Sequence, residues 1–192
     1  MFKDLITSQT RVKLLNLFLT SPTDMYHVRE CVRRIKEEIN AVRRELILLE
    51  KKGVLKKEPR ANRVYYSLSR DYSFYFDILR VGAKTIGLGH EILENRAKLG
   101  KLKFAMLSGK FVRRIKESPE DVDLMVVGTV VLPELAILVR NEESRLGVEI
   151  NYTVMTEEEL KFRKTRNDPF LGAILSGSRV MLLGDEEAML AS

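Results

Sequence analysis

Residues 104 to 128 read FAMLSGKFVRRIKESPEDVDLMVVG: an apolar run, a Ser-Gly turn, a basic stretch, and a second apolar run headed by two aspartates. Short apolar runs bounded by turn signals are strands buried in a sheet, which predicts strands over 103–107 and 122–127. Asp121 and Asp123 stand two residues apart at the head of the second. Side chains so spaced leave the same face of a strand, about 6.6 to 6.8 Å apart at the backbone. That separation suits joint coordination of a divalent cation, because hard ions such as Mg2+ take oxygen ligands and are held by carboxylates together with nucleotide phosphates. The glycine of the preceding turn adds bare backbone that a phosphate can approach closely.

The following residues extend the same mixed pattern. A helix is expected over 132–143 and a third strand over 148–155, where Glu149 and Asn151 share one face and Val148, Ile150 and Tyr152 the other. Glu149 is thereby a candidate third acid. Thr156 and Glu159 have capping-box spacing, so a helix begins there and runs to about 166. Asn167-Asp168-Pro169 breaks it, a short helix follows over 170–175, and a last apolar strand spans 180–183.

The first third of the chain has a different character. Residues 1–66 hold 15 Lys+Arg against 8 Asp+Glu, and the remaining residues 18 against 19, so the whole +6 charge originates at the N-terminal end. A concentrated basic excess is the electrostatic footprint of a surface that meets a polyanion. Helical periodicity over 8–19 ends at Ser21-Pro22, and a second helix is expected over 26–35. The third, over 38–52, carries the stripe Ile39, Val42, Leu46, Leu49 and stops at Gly53, which turns Asn40, Arg43 and Arg44 outward. Strands over 54–57 and 64–68 flank the tip EPRANR. Three helices and a basic hairpin make a winged helix-turn-helix, whose third helix enters the major groove of duplex DNA. Arg43 and Arg44 suit base edges, because a guanidinium fork matches guanine. Lys56, Lys57, Arg60 and Arg63 suit phosphates.

Between the halves, residues 71–99 read as one or two helices, opening with Tyr72, Phe74, Tyr75 and Phe76 and interrupted by glycines at 82, 87 and 89. The longest membrane candidate, 14–20, is short and flanked by charge, so neither a spanning helix nor a secretory signal is expected and the cytoplasm is the expected compartment. The single Cys31 permits no internal disulfide. His27 and Cys31 lie four apart, a spacing that can ligate a transition metal, but no His or Cys companion is near; a buried thiol and a surface histidine are expected. With His27 and His90 the only histidines, neither in a nucleophile context, no Ser/His/Asp triad is arguable.

The segments YHVRECVRRIKEEINAVRRELILLEKKGVL, NRVYYSL and KTIGL, then VEINYTVMTEEEL, NDPFL and the closing LLG, resemble archaeal and bacterial transcriptional regulators that fuse a winged helix-turn-helix to a minimal nucleotidyltransferase domain. The resemblance implies an α+β chain with a DNA-binding domain over 1–70, a helical linker over 71–100 and a nucleotidyltransferase-like domain over 101–192. It implies Asp121 and Asp123 as metal-binding acids, Glu149 as the third, Ser108, Gly109 and Lys110 as the nucleotide turn, and Mg2+ with a nucleoside triphosphate as ligands. Double-stranded DNA is the expected partner, with a homodimer and a nucleotide effector beside it, and no membrane. One departure bears on activity: where the family has Gly-Ser followed by a small-Arg-Gly stretch, this chain has Ser108-Gly109-Lys110-Phe111-Val112-Arg113-Arg114, with the order inverted and a bulky phenylalanine inserted. Three readings stay open: a DNA-binding regulator whose second domain senses a nucleotide or partner, a Mg2+-dependent enzyme moving a nucleoside monophosphate to a protein or small molecule, and a second domain that only dimerises.

Overall fold

The computed structural model describes residues 6–115, 118 and 120–191. They form a mixed α+β chain that divides into two compact units, Met1–Thr85 and Ile86–Ser192. None of the described helices is long and apolar enough to cross a membrane.

The first unit begins with α1 (Gln9–Thr20), whose N-cap Ser8 accepts from the Arg11 amide at 3.2 Å. Strand β1 (Met25–His27) then leads directly into α2 (Val28–Ile35). Helix α3 (Ile39–Lys51) is capped by Glu38, which accepts from the amides of Asn40 and Ala41 at 2.9 Å each. These hydrogen bonds hold the Glu38 carboxyl below the usual carboxylate range. Phe18, Leu14, Cys31, Val42 and Leu46 are fully buried where the three helices meet. Strands β2 (Leu55–Arg60) and β3 (Arg63–Leu68) form an antiparallel hairpin, and β1 pairs with the far edge of β3, giving the sheet order β1-β3-β2.

Two elements differ from expectation here. The second helix starts at Val28, because Met25–His27 is drawn into the sheet opposite Tyr65–Ser67. The hairpin tip shortens to Ala61 and Asn62, with Ala61 in the left-handed region, since Pro59 and Arg60 still pair with Val64 and Arg63. Helix α4 (Tyr75–Thr85) completes the unit, with Leu79 buried and Gly82 packed against Leu19.

The second unit opens with α5 (Gly87–Glu94), so the segment expected as a linker is shared between the units as two helices. Gly87 is the reason for the break: its φ is +63°, and a Cβ there would stand 2.5 Å from a Glu142 carboxylate oxygen. The sheet of this unit runs in the order Tyr152–Met155, Leu124–Val130, Gly100–Ser108, Arg179–Leu183. Strands β4 (Gly100–Ser108) and β5 (Leu124–Val130) are antiparallel, and α6 (Gly109–Val112) lies in their connection. Helix α7 (Leu132–Leu146) then carries the chain over to β6 (Tyr152–Met155), parallel to β5. Helices α8 (Glu157–Thr165) and α9 (Pro169–Ser176) precede β7 (Arg179–Leu183), antiparallel to β4, and α10 (Glu186–Leu190) is the last described helix.

Alternation explains the core. Phe104, Met106, Met125, Val127 and Met155 share one sheet face with Leu160, Leu171 and Met189 of α8, α9 and α10. Ala105, Leu107, Leu124 and Val126 are equally buried on the opposite face, which is why β4 and β5 read as near-continuous apolar runs.

Candidate functional site

Two places gather the residues singled out in the sequence. The first is the outer face of α3 and the hairpin. Val42, Leu46 and Leu49 turn inward, which leaves Asn40, Arg43, Arg44 and also Ile47 exposed on one stripe. Ile47, 57% exposed, is absent from the candidates that charge alone selects. Arg43, Arg44, Lys56 and Arg63 form no ion pair with any described residue. Lys57 stands 3.6 Å from Glu50, and Arg60 2.7 Å from Glu58. Arg60 and Arg63 are directly opposite each other beside the tip, and Glu58 relieves their repulsion. The stripe is anchored from behind: the Glu45 carboxylate receives Ser8 Oγ at 2.6 Å and Arg11 Nε at 2.7 Å, tying α3 to the start of α1. Burial would raise the Glu45 pKa, but the hydrogen bonds from Arg11 and Ser8 outweigh it and hold the carboxyl low.

The histidine and cysteine of this unit each have a structural place. His27 is the N-cap of α2, its Nδ1 accepting from the Glu30 amide at 3.3 Å. Cys31 is wholly buried, and its thiol is pushed up to about 12 by desolvation first and by Glu30 second.

The second place is a cleft of about 290 Å3 in the other unit. Its lining includes Ser108, Lys110, Arg113 and Asp121 together with Phe170 and Ser178. Ser108 Oγ caps α6 by accepting from the Phe111 amide at 3.1 Å. Gly109 is buried against the start of β7: its amide donates to Ser178 O at 2.6 Å, and a Cβ would stand 2.1 Å from Ser178 Oγ. The close backbone approach that glycine permits is therefore taken by Ser178. Arg113 closes the same corner, donating to Gly109 O at 3.0 Å and to Ser178 Oγ at 3.3 Å.

Asp121 and Asp123 come before β5, which begins at Leu124. The Lys110 ammonium donates to both oxygens of Asp121, at 3.1 Å each, and the Ser118 amide adds a bond to Oδ2 at 3.1 Å. Asp123 Oδ2 accepts from the Asn151 amide at 3.0 Å, and the Asn151 side chain donates to Asp121 O at 3.2 Å. The residue before β6 that binds this segment is thus Asn151. Glu149 precedes the strand, exposed in the segment between α7 and β6, because β6 starts only at Tyr152. Among the described residues no three His, Cys, Asp or Glu side chains gather closely enough to hold a metal. The Asp121 region does not fit a resident divalent cation, because the carboxylate such an ion would use is engaged on both oxygens by an ammonium group. Arg114, at φ 56°, has its guanidinium 4.6 Å from the Phe111 ring and 3.8 Å from Glu142. Desolvation lowers the Arg114 pKa, while Glu142 opposes the shift.

No family model matches the chain, and no curated protein does. Among solved structures, reduced HlyU from Vibrio cholerae N16961 is similar in part: 20% identity, over 42% of this chain and 83% of that one, at a TM-score of 0.32. So slight a likeness carries no argument about this chain.

Proposed function

We propose that this chain is a DNA-binding transcriptional regulator, with a winged helix-turn-helix in its first unit and a nucleotidyltransferase-like second unit that senses a nucleotide or partner and does not catalyse. One observation carries the reading: Asn40, Arg43 and Arg44 are exposed together on α3, in the same unit as the basic hairpin. A helix laid in the major groove presents such a stripe to base edges while a hairpin holds backbone phosphates. The duplex site of a homodimer would repeat this contact at two half-sites.

Fluorescence anisotropy with duplex DNA across a salt series tests it. Affinity should fall linearly with salt on logarithmic axes, by about 0.9 for each phosphate contact. Arg43→Ala and Arg44→Ala should reduce preference among sequences, each by about 1–3 kcal/mol where the contact is bidentate. No duplex binding at low salt, or binding without salt dependence, sinks the reading.

A second reading, Mg2+-dependent nucleotidyl transfer with Asp121 and Asp123 on the metal and Glu149 assisting, would require the ion to displace the Lys110 ammonium from Asp121. Labelled nucleoside triphosphate offered to the wild type and to Asp123→Ala distinguishes it. Equal labelling, or none by either protein, rejects the enzyme.

A further inference from the structure

We infer that Lys110 is a tethered cation that stands in for a divalent metal ion, so that the cleft takes its ligand without metal. The inference rests on the reading of the second unit as nucleotidyltransferase-like, which puts a cation beside Asp121. Three features support it. The Lys110 ammonium sits symmetrically on the carboxylate, 3.1 Å from each oxygen. Its backbone belongs to the first turn of α6, held by the Ser108 cap and by the Gly109 amide bonded to Ser178 O, so the lysine leaves from an anchored position. The Asp121 carboxylate is itself fixed by the Ser118 amide at 3.1 Å, while Asp121 N donates back to Ser118 O at 3.2 Å.

A divalent ion approaching these oxygens to about 2.0–2.1 Å, as Mg2+ requires, would have to expel the ammonium or endure its repulsion. The Ser118 hydrogen bond would remain on one of the two oxygens in either case. Ion pairs with this much exposure, 36% for Lys110 and 24% for Asp121, are individually weak. The anchoring at both ends is what makes the lysine the standing occupant. It also joins both sides of the 109–121 connection, giving the pair a structural use that a departing metal could not supply.

The test measures binding of Mn2+ alone to the full-length protein, by electron paramagnetic resonance, in the wild type, Lys110→Gln and the double variant Lys110→Gln/Asp121→Asn. Removing the tethered charge should tighten Mn2+ binding by about tenfold or more, and the second substitution should abolish the gain. Equal binding by wild type and Lys110→Gln, no binding by Lys110→Gln, or a gain that survives in the double variant each overturns the inference. Should Lys110→Gln fail to fold, thermal unfolding of the wild type in EDTA and in millimolar Mn2+ decides: an unchanged midpoint supports the inference, and a raised one overturns it. Turnover of a nucleoside triphosphate by the wild type would reject the non-catalytic reading of this unit. Mn2+ bound equally by both proteins, without turnover, would reject the tethered cation alone.

Discussion

Cys31 lies where α1, α2 and α3 meet, with its thiol pushed up to about 12, and nearby Tyr26 is raised to about 12 as well, chiefly by burial. Both groups stay protonated in the fold at a pH where the unfolded chain has released the proton. The folded protein then binds more protons than the unfolded one, so stability falls as pH rises, from about 9 for the thiol toward 12. Urea unfolding at a series of alkaline pH values should show this decline, shallower in Cys31→Val. At pH 8 the native thiol should resist a disulfide reagent that titrates it at once in urea. A second prediction concerns Gly109. Gly109→Ala sets a methyl 2.1 Å from Ser178 Oγ and 3.0 Å from Ser178 O, and should destabilise by about 1–3 kcal/mol in chemical unfolding. Ser178→Ala should rescue only part, because the backbone oxygen and Cβ remain. The same two residues mark what sequence reading reaches at the cleft. The Asp121–Asp123 pair and the glycine turn are visible as residue types in order, but the partners are not: Ser178 is brought to Gly109 by strand pairing between β4 and β7, and Lys110 reaches Asp121 only because α6 turns it there.

Helix α3 and the hairpin divide their work by which cations are already engaged. Lys57 leans on Glu50 and Arg60 on Glu58, whereas Lys56 and Arg63 pair with no described carboxylate. Under the proposed DNA reading, Lys56→Ala and Arg63→Ala should each lower the salt slope by about 0.9, and Lys57→Ala and Arg60→Ala by less. Ile47 should behave differently, since an exposed apolar side chain beside Arg43 and Arg44 offers contact to a thymine methyl and no charge. Ile47→Ala should weaken preferred duplexes at an unchanged slope, and replacing thymine by uracil in the DNA should mimic it in the wild type. Unequal slopes would show that Ile47 acts through the position of the arginines. Long periodic elements such as α3 were visible because the apolar stripe sets their inward face. The short ones were not: Met25–His27 has too few residues to show a period, and becomes a strand only through β3, some forty positions away. Residues 148–151 have strand-like alternation yet stay outside β6, where Ile150 N bonds to the Glu143 carboxylate of α7. That early anchorage leaves Glu149 ahead of β6, outside the strand its alternation suggested.

Charge and contacts divide the molecule at different points, and the difference yields a prediction. The basic excess is confined to residues 1–66, while the first compact unit extends to Thr85 because α4 brings Leu79 into its core. A fragment of residues 1–85 thus keeps every candidate DNA contact together with the helix that completes its core. Its log-log salt slope per chain should match that of the full chain, since the slope counts neutralised phosphates. Affinity is a separate matter. If the second unit joins two chains, each DNA-binding unit raises the effective concentration of the other, and its removal lowers affinity by as much as about a hundredfold with no change of slope per bound unit. Parallel titrations of fragment and full chain, with sedimentation to count chains per duplex, separate these effects. A fragment whose slope falls by two or more contacts would mean that the second unit touches DNA directly. An unchanged affinity at one chain per duplex would instead remove the homodimer from the proposed function.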